Sequence, residues 1–338
     1  MVAMSGGVDS SVCAALLKDE GHDVVGVTLK LWGGASDSGC CSVSDVDDAR
    51  RVAQQLGIDH HVFNFGDDFD RHVVDPYVEA YDRGETPNPC VECNRHIKFD
   101  KLLQRADVLG FDLVATGHHA RISEHPDGTR RVERGADEAK DQSYVLHMLD
   151  QEQLRRLILP VGNITKDRVR ELATELGLRT ADKPDSQDVC FIHSEGGRRK
   201  FLGDRIPLSP ARIVDSDGSQ VGRTDAVQLV TIGQRKGLNL GGSAERRFVV
   251  DIDRPNGVVT VGPIEDTLSD HLELEELTWA LNPVTSGITI QTSAHGDRAD
   301  AEIEGTTVRW AAPHRRIAKG QSVVVYVGDE VVGGGTAA

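Results

Sequence analysis

The chain has 338 residues, room for two or three domains at roughly 100–200 residues each. Its formal net charge of −16 argues against nucleic-acid binding by bulk charge and leaves only a local basic face for that role. No run of about 18 uninterrupted apolar residues offers a membrane span, and the first residues enter a strand too early for a secretory signal; a cytoplasmic protein with mostly reduced cysteines is expected.

In chain order, Val2 to Met4 reads as a strand stub and Ser10 to Leu17 as a helix. Val24 to Leu31 is an apolar strand, Asp45 to Leu56 a helix before Gly57, and His61 to Phe65 a strand. Helical spacing then predicts Phe69 to Tyr81 and Phe99 to Leu109, the latter ended by Gly110, with a strand at Leu113 to Ala115. Thr165 suits the N-cap of a helix closed by Gly177. Strands alternating with helices predict a Rossmann-like α/β fold, a parallel sheet with helices on both faces. Beyond about residue 200 the spacing changes to short valine- and isoleucine-rich runs. Phe248 to Ile252 and Val258 to Val261 flank the turn Asn256-Gly257, and Ile288 to Thr292, Thr307 to Trp310 and Ser322 to Val327 read as later strands. The expected division is 1–197, 198–264 and 265–338.

Ser5-Gly6-Gly7-Val8-Asp9-Ser10-Ser11 lies between the first strand and the first helix. Two glycines let the backbone approach a phosphate, and the free N–H groups of a helix start can donate to it. The string lacks the Gly-Lys-Ser/Thr ending of a Walker A loop. Asp9 is acidic where a pure anion site avoids charge; a divalent cation such as Mg²⁺, bridging Asp9 and the phosphates, would resolve that conflict.

Thr86 to Asn94 reads as a proline-stiffened loop presenting Cys90 and Cys93, with Arg95 and Lys98 placed to favour a thiolate. Cys190 follows in a second polar stretch. Three readings compete: half of a zinc site, a [4Fe-4S] cluster on Cys90, Cys93 and Cys190, or a sulfur-transfer pair of Cys93 and Cys190. Cys40-Cys41 is a weaker redox candidate, and Cys13 reads as core.

The loop resembles the PP-loop of ATP pyrophosphatases, which cleave ATP between the α- and β-phosphates. That likeness adds Leu29, at the end of the second strand, and Gly117, in Ala115-Thr116-Gly117-His118-His119, as nucleotide contacts. The joint pattern is similar to the tRNA-specific 2-thiouridylase family. The matching segments are Ala3–Ser11, Thr86–Phe99, Ala115–Arg121, Lys140–Leu146, Lys183–Ile192, Ile232–Gly237 and Gly320–Tyr326. The resemblance implies a PP-loop domain, a small central β domain and a C-terminal β-barrel. It also implies ATP binding by Ala3, Met4, Ser5, Gly6, Gly7, Val8, Asp9, Ser10, Leu29 and Gly117. Cys93 would be the nucleophile and Cys190 the persulfide carrier. Asn88, Pro89, Cys90, Lys140, Asp141, Gln142, Ser293 and Ala294 would contact tRNA. A cysteine desulfurase or sulfur-relay protein would be the partner. Some members carry aspartate where Cys90 stands, so the cysteine here favours the cluster reading. The alternatives are an amide-forming PP-loop synthetase, which needs no cysteines, and an RNA-binding protein with a structural metal.

Overall fold

The computed structural model describes residues 1–31, 43–185, 189–192, 196–238, 240 and 246–338. Cys40 and Cys41 lie outside the described residues. The chain divides into two compact units, one of residues 1–74, 89–194 and 327–333, the other of 75–88, 195–326 and 334–338.

The first unit contains β1 (Val2–Ala3), β2 (Val25–Lys30), β3 (Asp59–Asn64), β4 (Val114–Thr116), the hairpin β5 (Ala120–Glu124) and β6 (Arg130–Arg134), and β7 (Leu157–Ile158). Five of these strands form a parallel sheet in the order β3-β2-β1-β4-β7. The chain leaves β1 in one direction to β2 and reaches β4 on the other side, so the end of β1 is the switch point where such sheets bind ligands. Helices α1 (Val8–Asp19), α2 (Val43–Leu56) and α4 (Lys166–Glu175) share one core with β1, built from Val2, Met4, Val12, Leu17, Val52, Val169 and Ala173. Aliphatic and small side chains fill it, as an aromatic content of 4% requires. Helix α3 (Leu102–Leu109) packs on β4 and ends at Gly110 in the left-handed region (φ 77°).

The helix expected over Phe69 to Tyr81 is longer and irregular: a helical turn at Gly66–Phe69, wide π turns at Asp70–Val74, then α-helix at Asp75–Arg83. Pro76 explains the change. Its ring cannot sit against the carbonyl of His72 in regular α-helix, and widened turns just before it relieve that clash.

In the second unit β8 (Ala211–Val214), β9 (Gln220–Thr224), β10 (Phe248–Asp253) and β11 (Val258–Gly262) form a sheet in the order β10-β11-β8-β9. The hairpin expected across Asn256-Gly257 is β10–β11, and Ile213, Val249, Val259 and Val261 fill its core. The remaining strands are β12 (Leu268–Trp279), β13 (Ile288–Gln291), β14 (Ala299–Glu304), β15 (Thr307–Arg315), β16 (Ser322–Val327) and β17 (Glu330–Ala337). They run β12-β15-β14-β13-β16-β17, and a β12–β17 pairing closes the ring into a barrel. Along β12, Leu272 and Leu274 point inward and Glu273 and Glu275 outward, the period-2 alternation of a one-sided strand. At the closing seam, a Cβ on Gly335 would lie 2.9 Å from the Glu275 carbonyl oxygen and 3.2 Å from the Leu277 Cα.

Candidate active site

The phosphate loop leaves β1 and turns into α1 through Gly7, which takes the N-cap position in extended conformation with no side-chain cap. The first N–H groups of α1 are therefore left for a ligand, with the positive end of the helix dipole behind them. Hydroxyls shape the loop. Ser11 Oγ donates to the Gly7 carbonyl at 2.8 Å, and Ser10 Oγ accepts from the Ser5 N–H at 3.1 Å. Gly6 sits at φ 76°, where any side chain would strike the Asp45 carbonyl. A Cβ on Gly117 would lie 2.6 Å from the Ser10 nitrogen, so a glycine is what lets the end of β4 rest on the loop. Leu29 is buried at the end of β2.

Asp9 is the acidic residue of this loop, and Lys166 and His119 satisfy it. Lys166 Nζ donates to both of its oxygens at 2.8 and 2.7 Å, and His119 Nε2 lies 3.0 Å from Oδ1. Burial opposes ionisation of Asp9, but the hydrogen bonds from His119 and Lys166 outweigh it and hold its carboxyl below the usual range. His119 and Lys166 thus offset the charge of Asp9 within the protein itself.

The segment leading to Cys190 is tied to the same place. Lys183 Nζ donates to the Gly6 carbonyl at 3.0 Å, to Asp45 at 2.6 Å and to Asp48 at 2.8 Å. Two residues on, Asp185 accepts from Lys140 at 2.7 Å, Lys166 at 2.8 Å and Arg170 at 2.7 Å. Burial again opposes ionisation, and hydrogen bonds from Lys140 and Lys166 override it, so its carboxyl titrates far below the ordinary range. Cys190 follows five residues later, so its Cα is tethered within about 18 Å of that of Asp185. After it, Phe191 is buried and packs edge-on against Phe69 (ring centroids 5.7 Å apart).

Cys90 and Cys93 are on a helix, not on the loop expected from the prolines. Pro89–Glu92 is a helical turn that runs directly into wide turns over Cys93–Lys101. Pro89 is the first residue of that turn, where a missing N–H costs nothing and φ is already set for a helix. Cys90 is exposed and Cys93 is buried. The turn ending at Phe69 packs on the Cys93–Lys101 stretch, so the element that seats Phe191 also borders the Cys93 helix. Among the described residues no three His, Cys, Asp or Glu side chains, Cys90, Cys93 and Cys190 included, are grouped to share a metal ion.

A chain of polar contacts joins the phosphate loop to the Cys93 helix. Beyond its contact with Asp9, His119 donates its backbone N–H to Gln142 Oε1 at 2.9 Å and accepts at its carbonyl from the Gln142 N–H at 2.9 Å. Gln142 precedes a 3₁₀ turn, Ser143–Leu146, and Asn94 Nδ2, next to Cys93, donates to the Val145 carbonyl at 3.0 Å.

Comparison with known proteins agrees along the whole chain. Residues 1–194 match the family described as "tRNA methyl transferase HUP domain", 199–263 its PRC-barrel domain, and 269–337 an aminomethyltransferase β-barrel domain. The tRNA-specific 2-thiouridylase MnmA of Mycolicibacterium smegmatis is 47% identical over 99% of this chain and 98% of its own. That of Chloroflexus aurantiacus is 46% identical over 99% and 97%, and that of Geobacter metallireducens 42% over 99% and 95%. The chain belongs to the tRNA-specific 2-thiouridylase family. Its first unit accordingly carries the PP-loop, and its second the β domains of a thiouridylase. Among solved structures, a 4-thiouridine synthetase–RNA complex with bound ATP aligns at TM-score 0.39 and 17% identity, over 56% of this chain and 44% of that one.

The residues that the thiouridylase resemblance assigns to tRNA contact occupy unlike places. Lys140 is exposed and paired with Asp185. Asp141 is 4% exposed; its carboxylate accepts from Arg134, from the Gly135 and Ser143 N–H groups and from Ser143 Oγ. It is a cap for the 3₁₀ turn. Gln142 holds His119. Ser293 and Ala294 form a turn on the barrel whose carbonyls accept from Gln291 Nε2. Asn88 is half-buried. Just before it, the Thr86 N–H donates to the Lys319 carbonyl at 2.8 Å and Gln321 reaches the Thr86 carbonyl.

The sequence reading missed Lys166 and the double role of His119. A signal for Lys166 exists. It is a lysine in the first turn of a helix, where the macrodipole disfavours a cation, and that position calls for a carboxylate partner.

Proposed function

We propose that this protein uses ATP to activate the O2 oxygen of the wobble uridine (U34) of tRNA and replaces that oxygen with sulfur. The observation that carries the reading is the polar chain from Asp9 through His119 and Gln142 to Asn94, which ties the phosphate loop to the helix bearing Cys93. Membership of a family whose full-length relatives are named 2-thiouridylases supports it. An amide-forming synthetase or a metal-stabilised RNA-binding protein would have no use for two thiol-bearing segments anchored around an adenylation loop.

In this mechanism the uridine O2 attacks the α-phosphorus of ATP and pyrophosphate leaves. The uncapped N–H groups of α1 and the Ser5 and Ser10 hydroxyls bind the phosphate charge. Gly117 keeps β4 out of the nucleotide's way. Cys190 carries a persulfide whose terminal sulfur adds to C2, and AMP departs with the former O2. Cys93 thiolate then attacks the inner sulfur of Cys190, which leaves sulfur on the base and a Cys93–Cys190 disulfide. A thiol reductant restores both cysteines. Asp141 acts by holding the turn that positions Gln142, while Lys140 faces RNA phosphate. Among the described residues no three His, Cys, Asp or Glu side chains are grouped for a metal ion. Any Mg²⁺ would ride on the phosphate oxygens and water, as it does in many nucleotide sites. No helix among the described residues is long and apolar enough to cross a membrane. A cytoplasmic setting, where a cysteine desulfurase or relay protein loads Cys190, completes the proposal.

The test is incubation with ATP, tRNA and a sulfur donor, with AMP and 2-thiouridine read together by nucleoside mass spectrometry. Stoichiometric AMP and 2-thiouridine are expected, with thiolation abolished in Cys93→Ala and Cys190→Ser. Normal thiolation by both variants would overturn the assignment of the cysteines; AMP formation that leaves tRNA unthiolated with every donor would overturn the reaction.

A further inference from the structure

Lys166 does something that neither the phosphate loop nor the cysteine segment explains alone. Its side chain is 8% exposed, yet it begins a helix, where burial and the macrodipole both disfavour a cation. Its ammonium is shared between Asp9, the carboxylate of the phosphate loop (2.8 and 2.7 Å), and Asp185 (2.8 Å), which opens the stretch leading to Cys190. Among the described residues it alone pairs with both. Asp185 keeps two further cations, Lys140 and Arg170, and Asp9 keeps His119. Each carboxylate is thus held without Lys166; what Lys166 adds is the link between them.

We propose that Lys166 is the positioning residue that couples the two half-reactions: it registers the segment carrying Cys190 against the loop that holds the adenylated base, so that AMP is displaced by sulfur and not by water. Without this register the adenylated uridine hydrolyses. Water attacks C2, AMP leaves, and uridine is regenerated at the expense of one ATP. The inference rests on the sulfur-transfer reading above.

The readout is the molar ratio of 2-thiouridine to AMP in the tRNA, ATP and sulfur-donor assay. Lys166→Met is expected to lower that ratio at least tenfold while the KM for ATP rises less than about threefold. Asp185→Asn, which removes the same link together with the Lys140 and Arg170 pairs, should lower it at least as far. Lys166→Arg, which can still span two carboxylates, should recover most of the ratio. A wild-type ratio in Lys166→Met, or a fall that merely tracks weaker ATP use, would overturn the coupling. Should Lys166→Met not fold, Asp185→Asn decides alone, an unchanged ratio being the negative result. If the wild-type protein itself forms AMP without 2-thiouridine, the sulfur-transfer reading fails and the coupling claim has no reaction to act on.

Discussion

The two units use the same charged side chains in opposite ways. Around the phosphate loop, Lys166 and Asp9 are 8% and 29% exposed, and Lys166 and Lys183 each serve more than one acceptor. On the barrel, Arg309 and Glu304 pair at 3.0 Å while 62% and 76% exposed. Water and salt screen the second kind until little is left, whereas a shared, sheltered pair fixes direction. The barrel instead relies on aliphatic burial. Val323, Val324, Val325 and Tyr326 on β16 have no solvent exposure. Charge positions groups in one unit, and apolar area holds the other together.

The sharpest way to break this contrast is Gly117→Ala. A methyl group 2.6 Å from the Ser10 nitrogen must push β4 off the loop, so AMP formation should drop roughly 100-fold for a stability loss of only about 1–3 kcal/mol. Equal losses in stability and activity would show that the loop is a packing device. Acid comes next. Burial holds the His147 imidazole down at about 4, so the unfolded state takes up its proton first and stability falls as pH drops from about 6.5 to 4. His118, buried and lowered in the same way, adds to that fall. Asp9 and Asp185 act lower on the scale. Their depressed values mean that the stability they give is complete above the ordinary carboxylate range and is lost only as pH falls through it. Melting temperature should therefore decline in two stages, and a His147→Gln variant that still folds should lose part of the upper one. Val325→Ala in the barrel should cost about 2 kcal/mol by removed methyl groups and residual cavity, with the KM for ATP as in the wild type. Smallest of all, Arg309→Ala should leave the chemical denaturation midpoint within error, at low and high salt alike.

Much of the first unit was legible because its signals are local. The glycine-serine string, the apolar period of α1 and α2, and Thr165 accepting from the Arg168 N–H at 3.3 Å all lie within a few residues of the features they mark. What the sequence hid is set by partners far away. Nothing near Asp9 announces a lysine 157 residues later, and Asp141 reads as a surface carboxylate until the turn it caps is seen. Prolines were misread at Cys90 because stiffening a loop and starting a helix leave the same residue type. The β5–β6 hairpin went unread because charged residues occupy both of its faces, although Asp127-Gly128 was a turn signal. Strand β12 went unread because glutamates interrupt its leucines, which is what an outward face looks like.

The seam at Gly335 reaches beyond folding energy. A ring of strands has no open margin, and this one closes only because two backbones meet where no side chain fits. One added methyl there would force the two backbones apart and weaken the hydrogen bonding that closes the seam. The first symptom of such a change would be insoluble material in the cell rather than a lower melting point, since exposed rims recruit other chains before the core lets go.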